Sequence, residues 1–328
     1  MTLKRWMRRG IIGFCLGILL SLGLGSWQAL YSQDNPPAEE FALLPTELSL
    51  DPETDSPGYV PDGIDISPTP VGSGQRAVIG KDDRVLMTSG AYPWSTIGRL
   101  EQYDARGNLR GWCTGTLIER NLILTNAHCV IDGRTNQLTR NEIVFRANMI
   151  GGEASDSAKA VAVQYGTNFD DGRVADDWAL VEIDEPLGDY YGSLGWIAPA
   201  LQRPEVIELL RNKLHLVGYS FDFPENTLGH DPGETPGVHH HCTIIGLFDE
   251  DRFRHNCDTN SGASGGTLIG KLTSGKYVIL GLHAGAAEVS DGSVFNFGMK
   301  VDRWQDTARE MIQNARRHRE SVSSLVVR

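Results

Sequence analysis

Three short segments hold residues able to do chemistry together: Thr125-Asn-Ala-His128-Cys129, Asp177-Trp-Ala-Leu180 and Gly262-Ala-Ser264-Gly-Gly266. A serine hydroxyl is a weak nucleophile until a base within hydrogen-bond reach takes its proton. Histidine does this near neutral pH, and a buried carboxylate fixes its tautomer and steadies the imidazolium that forms. Glycines around the serine let the backbone turn sharply, so that amide N–H groups face a developing oxyanion. The pattern therefore predicts Ser264 as nucleophile, His128 as base and Asp177 as its partner, with the N–H groups of Gly262 and Ser264 as the oxyanion hole. Asp176 competes with Asp177, but neighbouring side chains of a strand starting at Trp178 face opposite ways, so one of them alone meets His128. The motif selects Asp177.

The elements around these segments are short apolar runs broken by Gly, Asn or Asp. They are Gly115–Ile118, Leu122–Leu124, Val161–Tyr165, Trp178–Ile183, Leu214–Tyr219, Cys242–Phe248, Thr267–Lys271 and Tyr277–Leu282. Most are rich in Val, Ile, Thr and Tyr, which is an all-β signature, sandwich or barrel. Only the end differs: Trp304, Ala308, Met311, Ile312 and Ala315 recur at helical spacing, predicting one C-terminal helix over 301–318. Gly262-x-Ser264-x-Gly266 also fits the nucleophile elbow of an α/β-hydrolase, for which Asp291 and His318 supply the order Ser, acid, His. The elbow needs a strand before the serine and a helix after it. Polar Cys257–Ser261 precedes Ser264 and two strand-like runs follow, so that reading fails.

With this constellation the chain resembles the chymotrypsin-like serine proteases over about residues 78–318. Finer features are similar to the bacterial glutamyl endopeptidase branch: Val78-Ile-Gly-Lys-Asp-Asp-Arg84, Asp258-Thr259 ahead of the serine, and Gly281-Leu-His283-Ala-Gly285 after it. The resemblance implies two six-stranded antiparallel β-barrels, about 90–190 and 195–300, with the active site in the cleft between them. It implies disulfides Cys113–Cys129 and Cys242–Cys257, although the four of the five cysteines that lie beyond Cys15 of the first apolar run by themselves allow three connectivities. It implies that Thr259 and a protonated His283 grip an acidic side chain before the scissile bond. Asp258 opposes this, since it stands where trypsin-like members place the Asp that attracts Arg or Lys. The position before the nucleophile is Ala263, so activation by an ion pair there is excluded.

Net charge is −12 over 328 residues, unevenly spread. Residues 1–30 carry +4 and 31–75 carry −9 with eight prolines, leaving no folded stretch basic enough for nucleic acid. A basic start followed by the uncharged run Gly10–Leu30 reads as a secretory signal or, uncleaved, as a membrane anchor. An even cysteine count behind it fits export to a secreted or periplasmic location. The acidic stretch 31–77 reads as a flexible linker or pro-segment cut near Gln75–Val78, with the protease domain over 78–328. His239-His-His241 reads as a solvated loop, because consecutive residues rarely converge on one metal ion. The expectation is thus an exported, monomeric serine endopeptidase acting on polypeptides without metal or organic cofactor. A trypsin-like Arg/Lys specificity and an inactive homologue used for binding are the alternatives. A quality-control protease with a trailing PDZ domain is set aside, as only ten residues follow the expected helix.

Overall fold

The computed structural model describes Leu48 and residues 57–66, 81–170, 174–225, 229–288 and 294–326, with side chains as far as Ser321. The apolar run Gly10–Leu30, the expected cut near Gln75–Val78 and Asp291 lie outside these residues. In chain order the strands are β1 (Arg84–Leu86), β2 (Ile97–Tyr103), β3 (Leu109–Glu119), β4 (Leu122–Thr125), β5 (Ile131–Asp132), β6 (Gln137–Leu138), β7 (Glu142–Ala147), β8 (Ser157–Tyr165) and β9 (Ala179–Ile183). There follow β10 (Gly195–Trp196), β11 (Leu214–Gly218), β12 (Gly237–Cys242), β13 (Ile244–Leu247), β14 (Arg252–His255), β15 (Thr267–Lys271), β16 (Tyr277–Glu288) and β17 (Val294–Met299). Helices are α1 (Gly188–Tyr191), α2 (Pro204–Leu210) and α3 (Gln305–Val326).

The N-terminal half closes as expected. Six antiparallel strands run β2-β3-β4-β9-β8-β7, and β7 pairs back onto β2. Alternation decides which side chains fill it: in β7, Ile143, Phe145 and Ala147 are buried while their neighbours are not. Phe145, Leu100, Leu117, Ile123 and Val181 form one apolar core, where truncating a leucine to alanine costs about 2–5 kcal/mol.

The C-terminal half departs from the expected second barrel. Among the described residues it is one nine-stranded sheet in the order β1-β12-β11-β15-β16-β17-β14-β13, with β10 added in parallel to β16. One end holds β13 and the other holds β12 just inside the edge strand β1; β12 and β13 are consecutive in the chain and separated by Thr243 alone. The sheet therefore curls until its ends share one corner, but the chain bends there instead of forming a ladder, and β1 occupies the outer edge of β12. Disulfide Cys242–Cys257 sits at that corner, and Cys113–Cys129 joins β3 to the turn after β4.

Two further differences have simple causes. His239, His240 and His241 are not a loop but lie in β12, where His239 is buried and a bulge against β11, with His241 at φ +60°, breaks the alternation and leaves His241 exposed. The C-terminal helix starts later and runs further than 301–318, because Val301–Arg303 form a 3-10 turn anchored by Arg303 to Asp176 and Asp251, and no Gly or Pro interrupts the residues beyond His318. Trp304, Ala308 and Ile312 are buried, with Trp304 edge-on to Trp196 at 5.2 Å. Within the stretch read as a linker, Leu48 is fully buried among Leu214, Leu268 and Leu280, and its N–H donates to Lys271 O at 2.8 Å. Tyr59 exchanges two backbone bonds of 2.8 Å with Ser193.

Candidate active site

The register of β4 against β9 builds the first part of the site. Thr125 lies opposite Ala179, so residues just after β4 meet residues just before β9. His128 stands in the 3-10 turn Ala127–Cys129 after β4, and Asp177 stands two residues before β9. Both carboxylate oxygens of Asp177 are committed: Oδ2 lies 2.7 Å from His128 Nδ1 and Oδ1 accepts the His128 N–H at 3.0 Å. Asn126 Nδ2 donates to Asp177 O at 2.7 Å and pins the same corner. Asp176 turns away, its carboxylate 2.5 Å from Arg303. Burial lowers the pKa of His128, but the bond and charge of Asp177 outweigh it, and the net direction is upward. The His128 side chain keeps 38% of its surface exposed, so it stays open to a reacting group.

The turn carrying Ser264 is pressed onto this corner. Thr114 N–H donates to Ser264 O at 2.8 Å, and Thr114 follows Cys113, which is bonded to Cys129 beside His128. Gly265, at φ +84°, lies so close that a Cβ would meet Thr114 O at 2.1 Å and Thr125 Oγ1 at 2.3 Å. Gly262 has φ +93°, a conformation costly for any residue with a Cβ. Ala263, Gly265 and Gly266 each donate their N–H to a backbone carbonyl. Among the described residues, no protein acceptor pairs with the N–H of Gly262 or Ser264, which leaves both free for an oxyanion.

Behind the serine, Thr259 and His283 meet. Thr259 Oγ1 lies 2.9 Å from His283 Nε2, and His283 Nδ1 lies 3.0 Å from His255 Nε2. Both rings are buried, and burial together with the nearby charge of His128 pushes His283 down to about 3. His283 bonds to Thr259 and His255, and among the described residues no carboxylate bonds to it to offset desolvation. His255 was missed by motif reading. Its signal is the alternation Arg252-Phe-Arg-His255, which turns Phe253 and His255 inward together. Asp258 is buried but faces elsewhere, its Oδ2 accepting the Asp83 N–H at 2.9 Å and lying 3.0 Å from His239 Nδ1.

A six-stranded barrel facing a curled sheet, with a histidine–carboxylate pair at the rim of one and a glycine-flanked serine on the other, is the architecture of chymotrypsin-like serine proteases. Residues 113–278, half of the chain, match the trypsin-like peptidase domain, and the chain belongs to that family. Serine protease 23 of Mus musculus is 28% identical over 216 residues, covering 58% of this chain and 48% of that protein. Serine protease 23 of Homo sapiens is 28% identical over 198 residues, covering 53% and 44%. The chain thus spans about half the length of the curated relatives it matches. A solved Glu endopeptidase, in complex with MPD, shares the fold with a TM-score of 0.54 at 22% identity, covering 71% of this chain and 100% of that one.

Proposed function

We propose that this chain is an exported serine endopeptidase that cleaves after Glu and, more weakly, after Asp. Ser264 attacks the scissile carbonyl while His128 takes its proton and later gives one to the leaving amine. Asp177 holds the imidazole, the N–H groups of Gly262 and Ser264 receive the oxyanion, and water hydrolyses the acyl-enzyme. The observation that carries this reading is the 2.7 Å contact of His128 Nδ1 with Asp177 Oδ2, at a corner joined to the Ser264 turn through Thr114.

For specificity, the engagement of Asp258 by Asp83 and His239 speaks against a pocket that attracts Arg or Lys. Thr259 and His283 are the groups left to meet a substrate carboxylate. Its entry draws a proton onto the His283–His255 pair and forms charge-assisted bonds worth about 1.5–3 kcal/mol. Export is supported by the N-terminal sequence and by two disulfides, which persist in oxidising compartments. Among the described residues no helix is long and apolar enough to cross a membrane. After a cut near Gln75–Val78, contacts alone would hold Leu48 and residues 57–66.

Peptides differing only in the residue before the scissile bond test the pocket, with Glu expected to be preferred. Preference for Arg or Lys overturns the acidic pocket and leaves the triad standing. Labelling of Ser264 by a fluorophosphonate separates an enzyme from a homologue that only binds.

A further inference from the structure

Arg84 is 1% exposed, and two carboxylates share its guanidinium. Nε and one terminal nitrogen donate to Asp82 at 3.0 and 2.8 Å, and the terminal nitrogens donate to Asp222 at 2.9 and 3.1 Å. The group also stacks 4.9 Å over the ring of Phe223. A buried charge of this kind is tolerated only while its partners stay in place. The planar fork of arginine suits two-sided pairing in a way that lysine does not.

Asp222 belongs to the loop that backs the turn before Ser264. Next to it, Phe221 N–H donates to Ser261 O at 2.7 Å. Tyr219 O accepts from Trp112 Nε1 at 2.8 Å, and Tyr219 N–H donates at 3.0 Å to Thr114 Oγ1, which donates to Gly262 O at 3.0 Å. A Cβ on Gly262 would lie 2.4 Å from Tyr219 O and 2.8 Å from the Phe221 ring, so loop and turn touch without slack. Residues 81–86 are themselves fastened to the sheet, since Arg84 pairs with His239 across β1 and β12 and Asp83 N–H reaches Asp258. Ala263 offers no charge with which to hold the turn from within.

We propose that Arg84, through Asp222, is a positioning residue for the oxyanion turn. The segment 81–84 clamps the loop 219–223, and the loop holds Gly262 so that its N–H and that of Ser264 aim at one point. This rests on the reading of Ser264 as nucleophile. Oxyanion donors act on the transition state more than on the bound substrate, so a loosened turn lowers kcat and leaves KM nearly unchanged.

The test uses hydrolysis of p-nitrophenyl acetate, which needs no side-chain pocket, and the rate of fluorophosphonate labelling. Arg84→Met is expected to lower kcat and the labelling rate about ten- to a hundredfold, with KM within about threefold. Arg84→Lys should recover part of this, and Asp222→Asn should fall in the same direction by a smaller factor. The double variant Arg84→Met/Asp222→Asn should lose no more than Arg84→Met alone, because both changes break one contact. Asp222 has a side chain 25% exposed, so its isosteric variant is measurable even where Arg84→Met does not fold. Folded Asp222→Asn and Arg84→Lys that keep the parental kcat and labelling rate overturn the clamp, as does a loss confined to KM. A parent that takes no label overturns the protease reading and the clamp with it, whereas a labelled parent with equally reactive variants overturns the clamp alone.

Discussion

His128 at the rim of the closed barrel and His283 on β16 of the curled sheet are the same side chain in opposite settings. His128 is part-exposed and faces Asp177 at 2.7 Å, so its proton is held more tightly than in free imidazole. His283 is buried with a hydroxyl and a second imidazole as its partners, and its proton affinity falls to about 3. The comparison teaches that burial does not set the charge of a histidine by itself; a carboxylate within bonding distance decides it. It also sets the two halves apart, with a carboxylate-paired imidazole on one and an imidazole held by a hydroxyl and a second ring on the other.

The largest expected effect breaks the first side of the comparison. Ser264→Ala should lower kcat by about 10⁴–10⁶-fold, and Asp177→Asn, which costs His128 its partner, by about 10⁴-fold. Steady-state hydrolysis by variants with native circular dichroism checks both, and near-parental turnover in either removes that residue from the mechanism. On the other side, His283→Ala should lower kcat/KM for Glu peptides about ten- to a hundredfold while sparing the labelling of Ser264 by a small fluorophosphonate. Equal losses on both substrates would mean that His283 supports the fold instead of the pocket.

Acid separates the two settings on one axis. His283 and His215 are lowered to about 3 and His240 to about 4, so below the ordinary value of about 6.5 the unfolded chain binds protons that the folded one refuses. Their stabilisation is full above 6.5 and is lost as pH falls towards those values, at up to roughly 1 kcal/mol per pH unit for each group. His128 works the other way, since its raised pKa contributes stability at low pH that is lost as pH rises through it. Urea midpoints between neutral pH and pH 4 should therefore fall steeply, and a flat profile would mean that these rings carry protons in the fold. Activity should decline earlier, as His128 protonates above 6.5, and kcat/KM profiles on the folded protein check this.

The smallest effect sharpens the assignment of Asp258. Because its carboxylate is turned to Asp83 and His239, Asp258→Asn should leave the Glu-to-Arg selectivity within about threefold of the parent. A large swing in selectivity would return Asp258 to the pocket.

The amino-acid sequence by itself determined the class of this protein, because the residues around His128, Asp177 and Ser264 carry their own local geometry: a turn after a strand, and glycines where φ is positive. It also determined eight of the 17 strands among the described residues, through alternation and turn residues that act over a few positions, and missed others such as β2, β7, β14 and β17. What it left open depended on distant partners. The motif already selected Asp177 over Asp176, and the fold adds the reason Asp176 stays away, its bond to Arg303, 127 positions distant in the chain. The orientation of Asp258 was resolved by Asp83, 175 positions away. The lowered proton affinity of His283 needed the fold to bury it against His255, and Leu48 read as linker until the pocket among Leu214, Leu268 and Leu280 was assembled. Local propensity is written in neighbouring residues, whereas the charge of a buried group and the side a strand end faces are set by what the completed fold packs against them.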